Sequence, residues 1–267
     1  MARAANSALL RRWRRALSTR LPFLVLQSDV RDVVYLTWLV DVAAVAALVP
    51  PGVTLQQKHG KTPFTVLTYA HRHFGPAAMS KLRRLFPSPL QSNWRLYVET
   101  LPGHQAAERV VLFVKNLMDS ALYALSTRLG SDALPTHLPL RFRHEHSGSH
   151  YATEITAGTG SAPELRYLAQ LSAAEHLPPG FDSYFASWTE AVTYLCLQDA
   201  AIAPVHELQR LAYAEIALPI DMASVRPLAL VADSLHSDFV QALTGAAEPL
   251  CFVVPSVHFK VLSEHLL

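Results

Sequence analysis

Apolar and polar positions alternate most regularly from Ser92 to Glu99. Asn93, Arg95, Tyr97 and Glu99 fall on one face of the implied strand, and Trp94, Leu96 and Val98 on the other. The second is a core face. The first sets an arginine between an amide and a phenol, with a carboxylate beyond. Such a lining suits a small barrel that holds a polar ligand. Turned outward, it would be an ordinary solvated strand face. Further strands are predicted over Val33–Val40, Thr62–His71, Arg109–Lys115, Thr193–Ile202, Leu211–Leu218, Pro227–Val231 and Leu250–Leu262. Arg109–Lys115 is the expected antiparallel neighbour of the Asn93 strand, through Pro102-Gly103. Leu138–His146 and His150–Thr156 read as a hairpin around Ser147-Gly148. Short helices are expected over Val42–Val49 with Asp41 as cap, over Ala77–Leu85, over Ser120–Leu129 with Asp119 as cap, within 178–192, and over Ser234–Leu243. Many antiparallel strands with short helices between them argue for an α+β barrel over a parallel sheet. No linker divides the chain, so residues 21–267 are expected to form a single β-barrel domain.

Residues 1–20 form a separate basic segment, an amphipathic helix or tail. Leu9, Leu10, Trp13 and Leu17 lie on one side of it and Arg11, Arg14 and Arg15 on the other. It reads as a packed or frayed terminal helix, as a membrane-surface helix, or as a transit segment. The formal net charge is +2, but Arg3, Arg11, Arg12, Arg14, Arg15 and Arg20 all precede the first acid, Asp29. The remainder is therefore net negative, which argues against a nucleic-acid partner. The apolar run Val33–Val53 is not a membrane span. Asp41 would sit at its centre, and Pro50-Pro51-Gly52 would stop a helix. Cys196 and Cys251 lie in apolar, strand-like runs and read as buried thiols. With no secretory signal, a cytoplasmic protein is expected.

The strand Ser92-Asn93-Trp94-Arg95-Leu96-Tyr97-Val98 resembles the Glu-x-Asn-x-Arg-x-Tyr-Val strand of the YqjF-like family, domain of unknown function 2071. Trp38-Leu39-Val40-Asp41 with Leu48-Val49-Pro50, Asp132-Ala133-Leu134-Pro135, and Phe185 to Leu195 resemble further motifs of that family, in the right order. The likeness covers about residues 22–262. The chain departs from the pattern at Ser92, at Leu96, and at Ala191-Val192, where Arg-Tyr is usual. The family is similar in fold to acetoacetate decarboxylase. The resemblance therefore implies a closed antiparallel β-barrel of that type, wrapped by further strands and a few short helices, with a small-molecule cavity inside. It implies no activity. In the decarboxylase a lysine follows a Gly-Arg-Glu…Gly-x-Pro-Lys run. The matching stretch here ends Leu134-Pro135-Thr136-His137, so Thr136 stands in the lysine's place. Lys115, the nearest alternative, reads as a solvated strand-end residue.

Arg95 has two readings. It grips a ligand carboxylate through its two-pronged fork, or it pairs internally with Glu99, Glu154 or Glu215. Asn93 and Tyr97 follow its fate. His137 is either a proton shuttle or a structural histidine. His71/His73 and His144/His146 have the spacing of paired metal ligands, yet no acid completes a set, and no metal or other cofactor is expected. Gly158–Pro163 lacks the lysine of a phosphate loop, and no Gly-x-Ser-x-Gly elbow is present. The expected partner is a small organic anion at Asn93, Arg95, Tyr97, Glu99 and His137. A homo-oligomer and a membrane surface at residues 1–20 stay open. Three functions follow: a ligand-binding barrel, a lyase, hydratase or isomerase acting on a small organic acid without an imine, or a membrane-recruited protein.

Overall fold

The computed structural model describes residues 7–18, 23–103 and 109–267. Arg3 and Arg20 of the basic segment lie outside them. The described strands are β1 (Leu26–Asp41), β2 (Thr54–Leu55), β3 (Lys61–Ala70), β4 (Gly75–Pro76), β5 (Leu90–Thr100), β6 (Val110–Met118) and β7 (Thr136–His137). They continue with β8 (Arg141–Ser147), β9 (His150–Thr156), β10 (Leu165–Leu171), β11 (Ala200–Val205), β12 (Arg210–Ala217), β13 (Arg226–Leu230) and β14 (Leu250–Leu266). The helices are α1 (Ala8–Ser18), α2 (Val42–Val45), α3 (Ala121–Gly130), α4 (Trp188–Cys196) and α5 (Asp238–Thr244).

Neighbouring strands run β1-β3-β5-β6-β11-β12-β14, and β14 pairs back onto β1. Seven strands thus close a ring. From β14 the sheet continues through β13, β10, β9 and β8, and β8 folds back against β3 and β5. The two layers make two cores. Trp38, Phe64, Trp94 and Leu96 leave the ring outward and pack with Tyr151, Ile155, Leu165 and Tyr167 of the outer layer. Tyr35, Leu67, Tyr97, Val111 and Phe252 point inward and meet Ala191, Val192, Leu195 and Cys196 of α4. Strict alternation therefore buries both faces of β5, with only Glu99 exposed near its end.

Two irregularities shape the inner wall. In β1 the register with β3 slips between Arg31 and Val34, and Asp32 takes φ of 53°, a left-handed conformation its short polar side chain tolerates. Between β5 and β6, Trp94 faces Lys115 while Arg95 faces Phe113, so Val114 is an extra residue. Phe113 and Asn116 then point inward, and Lys115 lies outside the ring beside Ser161.

Several expectations are corrected. The ring is not wholly antiparallel, because β11 runs parallel to β6. Thr193–Cys196 is not strand but the end of α4, so Cys196 is a helical residue. Ser187 explains the helix: its hydroxyl accepts from Glu190 N at 3.1 Å, and Glu190 in turn accepts from Ala186 N. Strand β10 was not predicted. Its alternation is short and sits beside the glycine-rich 158–160 turn. Ala77–Leu85 is 3-10 helix kinked at Ser80. Ser120, not Asp119, caps α3, and Asp119 instead accepts from Leu90 N at 2.9 Å. Asp41 makes no cap bond and pairs with Lys61 at 3.0 Å. The apolar run from Val33 is the second half of β1 followed by short α2. Among the described residues no helix is long and apolar enough to cross a membrane.

Candidate ligand-binding site

A cavity of about 1460 Å³ runs from the ring interior to an open mouth bordered by α1 and α3. Inward positions of β1, β3 and β5 bring Tyr35, Tyr69, Gln91, Asn93 and Arg95 to one part of its wall. Arg95 is only 3% exposed. Its Nη2 donates to the Leu195 carbonyl at 2.7 Å and more weakly to the Tyr97 hydroxyl at 3.3 Å. Leu195 lies in the last turn of α4, whose carbonyls carry partial negative charge. The guanidinium carbon stands 5.4 Å from the ring centres of both Tyr35 and Tyr97. Its Nε is buried and has no hydrogen-bond partner. No described acid pairs with it. Glu99 is solvent-exposed, Glu215 accepts from Ser263 Oγ, and Glu154 lies on the outer layer.

A polar relay backs this wall. The Gln91 amide donates to Asn93 Oδ1 at 3.0 Å and to Asn116 Oδ1 at 2.6 Å, and its Oε1 meets His71 Nε2 at 2.5 Å. That contact makes Nε2 the protonated nitrogen of His71. Asn93 Nδ2 then donates to Tyr69 OH at 3.0 Å. Burial pushes His71 down to about 4, so it is neutral and structural near pH 7. Burial also raises the phenols of Tyr35, Tyr69 and Tyr97, and lifts the Cys196 thiol to about 12 despite nearby Arg95. None of these is a base at neutral pH.

Of the five residues singled out in the sequence, Asn93 and Arg95 line the cavity together. Tyr97 does not reach it; its hydroxyl is spent on Leu195 O and Thr65. Glu99 and His137 are elsewhere. His137 is half-buried in β7, with Nδ1 2.9 Å from Ser161 Oγ, and burial beside Lys115 and Arg128 depresses it to about 4. Tyr35, Tyr69 and Gln91 were missed, although Gln91 stands two residues before Asn93 in the same alternation. Thr136 is buried and hydrogen-bonded to Asn116 and Thr127, both at 2.7 Å. No lysine is among the cavity-lining residues. The histidine pairs do not form a metal site among the described residues. His73 bonds Asp29 while His71 points into the relay. His144 bonds Thr153 and the Asp32 backbone carbonyl, and His146 pairs with the Asp32 carboxylate, so those two share a residue but not a ligand-facing site. Among the described residues no three His, Cys, Asp or Glu side chains could hold a metal ion.

The rim is partly helical. Leu10 and Trp13 of α1 line the cavity. Arg14 and Arg15 of the same helix each approach Asp132 to 2.6 Å, and Arg15 also bonds Glu207.

The family designated DUF2071, uncharacterized conserved protein, matches residues 27–191. The chain belongs to this family. Its match ends in α4 and so includes β5 and the inner wall around Arg95. No curated protein matches the DUF2071 chain in sequence. In structure it is similar to the enduracididine biosynthesis enzyme MppR complexed with pyruvate, at TM-score 0.60 and 13% identity, over 93% of this chain and 92% of that one. It is similar to an acetoacetate decarboxylase-like enzyme from Sphingomonas wittichii RW1, at TM-score 0.58 and 12% identity, over 92% and 94%. It is also similar to acetoacetate decarboxylase from Legionella pneumophila, at 0.56 and 10%, over 96% and 94%. At these identities the likeness shows a shared fold: this DUF2071 protein has the acetoacetate decarboxylase-like architecture.

Proposed function

We propose that this protein binds an organic anion inside the ring, with Arg95 as its counter-charge. One observation carries the reading: a buried guanidinium in a cavity wall, with an unpaired Nε and no acidic partner among the described residues. Burying an unpaired charge costs several kcal/mol in real proteins. The Leu195 carbonyl offsets part of that cost, and a carboxylate would offset far more. Asn93 stands in the same wall. Tyr69 already accepts from Asn93 and can donate its own proton to the same ligand. The titratable groups near Arg95 are phenols and a thiol raised by burial, which favours binding over acid–base turnover.

Chemistry through an imine is not part of this reading. An imine needs a lysine amine facing the ligand. Thr136 holds the matching position, and Lys115 is turned outward by the β6 bulge. Soluble binding is also distinct from recruitment to membranes through α1, whose Arg14 and Arg15 are engaged with Asp132.

Native mass spectrometry of the gently purified protein identifies co-purifying anions, and calorimetry measures their affinity. Arg95→Ala is expected to weaken binding at least tenfold. Arg95→Lys should also bind poorly, because an ammonium cannot reproduce the fork. Equal affinity in wild type and both variants, with unchanged thermal melting, would refute the assignment.

A further inference from the structure

We infer that the ligand is an elongated amphipathic carboxylate, with its head at Arg95 and an apolar body running along the ring interior toward α1. This rests on the organic-anion reading and adds the ligand's size and polarity. The first ground is volume. A cavity of about 1460 Å³ exceeds the roughly 300–1,000 Å³ of sites for drug-sized ligands. A small keto acid would leave most of it unfilled.

The second ground is length. Val254 and Glu264 of β14 both line the cavity. They stand ten residues apart in a strand, which is roughly 30 Å at about 3.3 Å per residue. Strand β1 runs alongside, pairing Val33 with Val254, Val30 with Val257 and Leu26 with Val261. The lining is therefore a channel and not a small chamber.

The third ground is the order of polarity along that channel. Tyr35, beside Arg95, follows Val33 on the inner face of β1. Val30, Val33, Val257, Phe259 and Val261 supply the middle with apolar surface only. At the far end Glu264 bonds Ser131 and Asp132 N, and Arg14 and Arg15 approach Asp132. Arg14 and Arg15 are neutralised by Asp132 and Glu264. Arg95 has no acidic partner among the described residues, and its buried Nε has no hydrogen-bond partner. An anion is thus drawn to the Arg95 end, and an attached hydrocarbon is accommodated along the middle. Each buried methylene should tighten binding roughly fourfold.

The test is titration calorimetry of the full chain with hexadecanoate, dodecanoate, hexadecanol and pyruvate. The expected result is one hexadecanoate per chain, bound tighter than dodecanoate and at least a hundredfold tighter than pyruvate. Hexadecanol should bind at least tenfold more weakly than hexadecanoate, and Arg95→Lys should lose that advantage of the acid over the alcohol. Leu218→Trp and, independently, Ile216→Phe narrow the channel. Each should weaken hexadecanoate and spare pyruvate, with melting curves confirming that the variant folds. The chain-length series on the unaltered protein needs no variant. Arg95-dependent binding of pyruvate without preference for longer acids would overturn this inference and leave the organic-anion reading standing. Binding of no acid at all would overturn both.

Discussion

Trp94 and Arg95 are adjacent residues in two different environments. The Trp94 ring is wholly buried outside the ring of strands, 6.4 Å from Phe64 and 5.3 Å from Phe239 between ring centres, and its Nε1 donates to Ser92 Oγ. Trp94→Ala should lower unfolding free energy by ~3–5 kcal/mol, as large aromatic deletions from cores do. Urea titration measures this. Arg95→Ala should act mainly on binding, and a comparable stability loss in both variants would argue that Arg95 is structural. His71 gives a second prediction, in pH. Its folded value near 4 lies below the ordinary histidine value of 6.5. The unfolded chain therefore takes up the proton first, and stability is fully present above 6.5 and falls as pH drops from about 6.5 to 4. The slope approaches ~1.4 kcal/mol per pH unit for one proton. Melting curves of wild type and His71→Gln across that window should converge at low pH. Parallel curves would exclude His71 as a source of the dependence.

Elements differed in how far the sequence revealed them. β5 was legible because its alternation is unbroken, and the hairpin β8–β9 because Ser147-Gly148 marks its turn. The Thr193–Cys196 end of α4 misled because an apolar stretch has no period to separate helix from strand. β11 against β6 misled because parallel pairing between distant segments leaves no turn signal. At the site, the inward direction of Arg95 follows from period two, whereas His137 is suggested only by its place in the Leu134-Pro135-Thr136-His137 run and by the proton chemistry of histidine. Side chains contributed by other strands, such as Tyr35 and Tyr69, could be found only through register. α1 poses a question of its own. We propose that residues 1–20 are dispensable for folding of the body. Leu10 and Trp13 remain 44% and 64% exposed, so α1 covers little apolar surface of the body and is held mainly by the part-buried pairs of Arg14 and Arg15 with Asp132. A protein starting at residue 21 should retain the circular dichroism of its strands and a cooperative melt. Loss of that transition would show that the Arg14 and Arg15 contacts with Asp132 are needed to assemble the ring.

At the scale of the whole molecule, the ring and its outer layer match the architecture of acetoacetate decarboxylase-like proteins, while no lysine is among the described residues that line the cavity. Borohydride treatment in the presence of acetoacetate or pyruvate should therefore give no covalent adduct by intact mass. A single adduct at a defined lysine would overturn the imine-free reading.

For Lys115, that outcome hangs on Val114. This one residue offsets the count along β6, so that position 115 faces away from the ligand and position 116 faces it. The side a lysine faces here is thus set by backbone indexing as well as by residue identity. Conversely, moving the bulge beyond Lys115 would swing its amine to the interior, next to the guanidinium of Arg95, whose positive field would favour the neutral, nucleophilic form.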